Sequence, residues 1–211
     1  MTFGKWIAVV LLGLASSITA RAQLGVYGIY SATEFSGIQC YDPQGQCSSA
    51  GGKVSPTGGW GGIYYDFRTF GPVRLGIDVR GGTEHANKSA VSAAGGQNIT
   101  TSHAVLGGVR GSFHTPIRWV KPYAQVSFGW NRTDASDPTL TEVNGLFEHT
   151  NDNFLQYEVF GGADLQIASF LDFRALELGI GNMNRFGSGT GTASVGVRSI
   201  GAGVVVHFPV R

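Results

Sequence analysis

Four residues are of the types used in nucleophilic catalysis: Glu84 and His85 before a polar stretch, Ser102 and His103 after it. A hydroxyl nucleophile, an imidazole base and a carboxylate that orients the base are the parts of an acyl-transfer site. If the flanking segments pair as a hairpin across 85–99, the four residues meet at its open end. Neighbouring residues on one strand face opposite ways, however. Glu84 and His85 therefore cannot enter one pocket, and polar side chains solvating a loop base are the expected reading, with no catalytic residue. A second acidic group, Asp134, Asp137, Glu142, Glu148 and Asp152 beside Arg132, lacks the spacing of a calcium loop and reads as solvated. No metal ligand and no cofactor are expected.

The larger population of charge sits inside alternating segments. Val73-Arg74-Leu75-Gly76-Ile77-Asp78-Val79-Arg80 places aliphatics at odd positions and charge or glycine at even ones. The same period of two runs through Ile63, Tyr65 and Phe67, through Ala124, Val126, Phe128 and Trp130, through Leu155, Tyr157 and Val159, through Leu176, Leu178 and Ile180, and through Ile200, Ala202, Val204, Val206 and Phe208. Alternation of this kind marks strands with two unlike faces. By parity the polar face carries Asp66, Arg68, Arg74, Asp78, Arg80, Arg110, Glu158, Asp164 and Glu177, five acids against four bases. Near-balance and abundant glycine suit a narrow interior in which charges pair, and glycine makes room for long arginines.

Eight strands are predicted, at 24–35, 58–69, 73–84, 100–112, 121–132, 153–166, 171–183 and 192–208. Long connections near 36–57, 85–99, 133–152 and 184–191 alternate with short turns near 70–72, 113–120 and 167–170. Four long loops opposite three short turns is the pattern of an up-and-down barrel. Aromatics near the strand ends suggest two girdles at headgroup level: Trp60, Trp130 and Tyr157 toward the long loops, and Phe67, Trp119, Tyr123, Phe173 and Phe208 toward the short turns. Arg174 and Arg198 share parity with the apolar face and are expected at the rims.

Composition agrees. Of 211 residues, 33 are glycine and only 14% are charged, against about a quarter charged and roughly 7% glycine in an ordinary domain. The net charge of +1 and the lack of a basic cluster exclude a nucleic-acid partner. Lys5, the apolar run Trp6 to Ala15 and Ala20-Arg21-Ala22 have the layout of a secretory signal peptide over residues 1–22, followed by one domain, 23–211. Its removal takes away two bases and no acid, turning the net charge from +1 to −1. In the oxidising compartment this implies, Cys40 and Cys47, brought together by the turn chemistry of Pro43-Gln44-Gly45, are expected to form a disulfide that stiffens the first long loop.

The pattern from Leu24 to Phe208 resembles the small outer-membrane barrels of the OmpA/OmpX type. The resemblance implies an all-β fold, an eight-stranded antiparallel up-and-down transmembrane β-barrel in the bacterial outer membrane. Its partners would be outer-membrane lipid, the barrel-assembly machinery and an extracellular molecule met by the loops, and the protein would be a monomer. The last strand, ending on Phe208, resembles the assembly signal of that family, although Pro209-Val210-Arg211 follow the aromatic on which the family usually ends. No peptidoglycan-binding domain is expected after the barrel. A surface-interaction role with no wide pore is the reading preferred over two alternatives, a lipid-modifying outer-membrane enzyme and a soluble, secreted, lipocalin-like ligand-binding barrel. The His-x-Ser arrangement associated with the lipid-modifying deacylases is absent.

Overall fold

The computed structural model describes residues 23–38, 52–86, 98–117, 119–136, 149–186 and 194–209. The expected signal peptide and Cys40 and Cys47 lie outside the described residues, as does 137–148 of the acidic loop. The elements are β1 (Gln23–Ile38), β2 (Gly52–Val54), β3 (Thr57–Phe70), β4 (Val73–His85), β5 (Asn98–Phe113), β6 (Val120–Ser136), β7 (His149–Gln166), β8 (Leu171–Arg185) and β9 (Ser194–Pro209). All pairings are antiparallel; β1 pairs β3 past the short β2, β3 to β9 each pair the next in the chain, and β1 pairs β9 from Gln23↔Pro209 to Ser36↔Gly196, which closes the sheet into an eight-stranded barrel. The three-residue β2 is an extra piece. It pairs with the end of β1 beyond the reach of β3, joined to that line by Thr33 N–H donating to the Pro56 carbonyl.

Closure satisfies the backbone groups that an edge strand would leave unpaired. The turn between β3 and β4 holds only Gly71 and Pro72, and Gly71 sits at φ 56°. A two-residue hairpin loop needs positive φ at its first corner, which glycine supplies without strain.

Alternation holds along most strands, with the apolar set outside. Ile77, Val126 and Leu178 are 52%, 60% and 50% exposed, whereas Asp78, Arg80 and Glu158 are 2–3% exposed. Two β-bulges near the short turns break the period. On β3, Asp66 pairs with Gly76 and Arg68 with Leu75, so Phe67 is extra. On β8, Arg174 pairs with Gly203 and Glu177 with Gly201, so Ala175 and Leu176 oppose the single Ala202. One inserted residue reverses every later side chain.

Interior glycines receive aromatic rings. Tyr27 faces Gly62 and Tyr64 faces Gly25 across β1 and β3, and a methyl group at either glycine would collide with the opposite ring. Gly62→Ala is expected to lower unfolding stability in detergent by about 1–3 kcal/mol, the cost of overpacking. At outward-facing Gly28 the place a methyl group would take has no other atom within 4 Å. Gly28→Ala should therefore be neutral or stabilising by about 0.5–1 kcal/mol, as expected of glycine in a strand. Urea titration of the two variants checks the contrast.

Candidate functional site

The inward faces build one continuous column at the waist of the barrel. Arg110 of β5 lies between Tyr64 of β3 and Tyr123 of β6, its guanidinium 3.8 and 4.3 Å from the ring centroids. Arg174 of β8 lies between Tyr123 and Tyr27 of β1, at 4.4 and 4.5 Å. Arg80 of β4 follows, 5.4 Å from Tyr27 and 4.1 Å from Phe160 of β7. At the other end His207 of β9 meets Tyr64 edge-on and is 3.2 Å from its hydroxyl. Every barrel strand thus supplies a member. A cation over an aromatic face gains up to about 2 kcal/mol when desolvated, which partly offsets burial of three guanidiniums.

Carboxylates supply the rest. Arg80 donates to both oxygens of Glu177, at 2.7 and 3.1 Å, and Arg174 donates to Glu177 Oε2 at 3.1 Å. The Tyr123 hydroxyl donates to the same oxygen. Asp164 accepts from Arg174 Nε at 2.8 Å and from Arg110 Nη2 at 2.9 Å. Asp78 accepts from the Tyr27 hydroxyl at 2.8 Å and from Gln125 at 2.7 Å. Charge-assisted bonds of this kind are about twice as strong as neutral ones.

The two ends differ. Above the column, toward the long loops, buried acids meet neutral donors. Glu84 Oε1 accepts from Ser31, Thr33 and Trp60, and Glu158 accepts from Ser199 and Gln156. Beyond them Phe35, Val54, Phe154, Met183, Val195 and Val197 form an apolar cluster, with Val54 delivered by β2. The space left in the upper layer is about 20 Å³, near what one water needs. Below the column lies a cavity of about 290 Å³, lined by charged side chains among apolar ones.

Of the nine charges expected inside, Asp66, Asp78, Arg80, Arg110, Glu158, Asp164 and Glu177 are buried in the interior, and Arg74 is half-buried at the lower mouth. Arg68 is corrected: the Phe67 bulge turns it out, where it covers the Phe70 ring at 4.6 Å. Arg174 is corrected in the opposite sense, since the bulge on β8 brings it fully inside. Trp60 and Tyr123 also leave the expected girdles for the interior, while Trp119, Trp130, Tyr157, Phe173 and Phe208 face outward. Glu84 and Ser102 are buried inside, whereas His85 and His103 are outside, bonded to Thr101 and Thr83. The barrel wall separates the acid and the hydroxyl from both imidazoles. Parity also places Glu84, Tyr27 and Tyr64 inward, a signal that could have found them. Asp172 and Lys121, paired at 2.7 Å, and His207, 2.6 Å from Asp172, lie near strand ends, where parity is a weak guide.

No protein-family model and no curated protein sequence matches the chain. Solved structures with a similar course include outer-membrane proteins. Neisserial surface protein A is 16% identical, with 90% of this chain and 98% of that one covered and a TM-score of 0.47. Ail, the attachment invasion locus protein of Yersinia pestis, is 10% identical, with 89% and 99% covered and a TM-score of 0.47. The outer membrane protease OmpT of Escherichia coli is 8% identical, with 90% and 98% covered and a TM-score of 0.41.

Glu177 anchors two arginines, whereas Glu158 anchors none by an ion pair of its own. Glu177→Gln should therefore cost about 3–5 kcal/mol of unfolding free energy, the penalty for breaking a buried pair. Glu158→Gln should cost about 1–2 kcal/mol, the scale of an ordinary hydrogen bond. Equal losses in urea unfolding would contradict this division.

Proposed function

We propose that the protein is an integral β-barrel of the bacterial outer membrane, a closed cylinder that holds its long loops at the cell surface for contact with other molecules. The observation that carries this reading is the outer face. Each barrel strand exposes large apolar side chains: Val26 and Tyr30, Ile63, Val79, Val109, Phe128, Val159, Ile180 and Val204 among them. Such a belt far exceeds the few hundred Å² that soluble monomers leave uncovered. The outward charges Arg68, Arg132 and Arg198 fall toward strand ends. The shortest barrel strand has 13 residues. Tilted as barrel strands are, it would rise about 33 Å along the axis, enough for an apolar band of about 25 Å.

A lipocalin-like barrel needs the reverse arrangement, with a wet exterior and an apolar pocket. The column of arginines and tyrosines crosses the interior between the upper layer and the lower cavity, which supports structural display without a wide pore. The rim residues do not favour an enzyme, because the hydroxyl of Ser102 and the imidazole of His103 face opposite sides of the wall. In this reading β9 engages the assembly machinery, lipid covers the outer face and the barrel works as a monomer.

Cell envelopes washed with salt and then carbonate should retain the protein, and detergent should release it as a band whose gel mobility changes on heating. Release by carbonate alone would overturn the reading. Val126→Arg should destabilise the inserted barrel by about 2–4 kcal/mol, the cost of a cation in mid-bilayer, measured by urea unfolding in liposomes.

A further inference from the structure

The cavity of about 290 Å³ lies at the short-turn end, close to the lower size limit of small-molecule pockets, about 300 Å³. Three charged residues that line it carry buried polar atoms without a hydrogen-bond partner: Asp66 Oδ1, Arg74 Nε, and Arg110 Nε and Nη1. Asp66 and Arg110 are only 4% and 3% exposed, and an unmet buried charge is costly. The chain provides each arginine with partial satisfaction only. Asp164 takes Arg110 Nη2, and Gln23 takes Arg74 Nη1 at 2.7 Å.

The geometry explains why these opposite charges leave atoms unused. Asp66 of β3 pairs with Gly76 of β4, and Gly76 pairs with Arg110 of β5. Arg74 is the next inward residue toward the mouth. The middle residue of the row has no side chain, and a methyl group there would strike Asp66 Oδ1. The unused acceptor therefore lies over Gly76, and the two arginines with unused donors follow it in the sheet, Arg110 across from that glycine and Arg74 two residues along its strand.

We propose that this vestibule binds a small zwitterion, an amino-acid-sized molecule with a carboxylate and a protonated amine. Its carboxylate accepts from Arg110 and Arg74, and its ammonium donates to Asp66 Oδ1. A plain anion would meet the arginines but face the Asp66 carboxylate, and a plain cation would leave the arginines unmet. The inference does not depend on the display role, and failure of either leaves the other standing.

The test uses the full refolded barrel in detergent micelles, with backbone amide shifts of Gly76 and Arg110 followed by NMR. The probes are L-alanine, acetate and ethylammonium. L-Alanine should give saturable shifts, with acetate and ethylammonium at least about tenfold weaker, the scale of one hydrogen bond to a charged group. Asp66→Asn should weaken L-alanine about tenfold while acetate binds as well or better. The absence of saturable shifts, or equal affinity for acetate and L-alanine in the wild type, would overturn the proposal. The wild-type comparison decides even if the variant fails to fold.

Discussion

Three guanidiniums in the middle of a narrow barrel impose the constraint from which the other features follow. Removing such ions from water costs several kcal/mol each unless geometry compensates. Here compensation comes from ring faces on both sides of Arg110 and Arg174, and from Glu177, Asp164 and Asp78 around them. These partners come from different strands. A slip of one residue in any strand would turn its member outward, so the column fixes register as well as filling space.

The same column divides the interior into unlike halves. Above it, charge gives way to neutral donors and then to the apolar cluster closed by Val54. Below it, paired charges line a cavity with unused donors and an unused acceptor. The outer surface is uniform by comparison, apolar in the middle and polar toward the rims. The barrel is closed and filled at its upper end, and its lower end encloses a cavity of about 290 Å³.

Much of this is legible in the sequence because a strand writes its two faces as odd and even positions. The eight strands, their order, the long and short connections, and the inward direction of Asp78, Arg80, Arg110 and Glu158 all follow from period two. The differences cluster where period two fails. Parity alone puts Arg68 and Arg174 on the wrong sides, because nothing in the local pattern announces the extra residue at Phe67 or at Ala175 and Leu176. The effect of each bulge is seen only in the partner strand's register. Ring chemistry suggests an interfacial Tyr123, although its parity with Gln125 and Ser127 already points inward. The aromatic and guanidinium column itself is beyond local reading, because its neighbours in space come from strands remote in sequence.

The central claim is that hydrocarbon lies outside the barrel and charge inside it. Nitroxide labels at positions 124 to 130, introduced singly in a Cys40→Ser, Cys47→Ser background and reconstituted in liposomes, test it most directly. Labels at Val126 and Phe128 are expected to collide freely with oxygen dissolved in the bilayer and poorly with a water-soluble nickel reagent. Labels at Gln125 and Ser127 are expected to be shielded from both, giving a period of two. Ready access of the nickel reagent to Val126 and Phe128 would place water against the apolar face and contradict the claim.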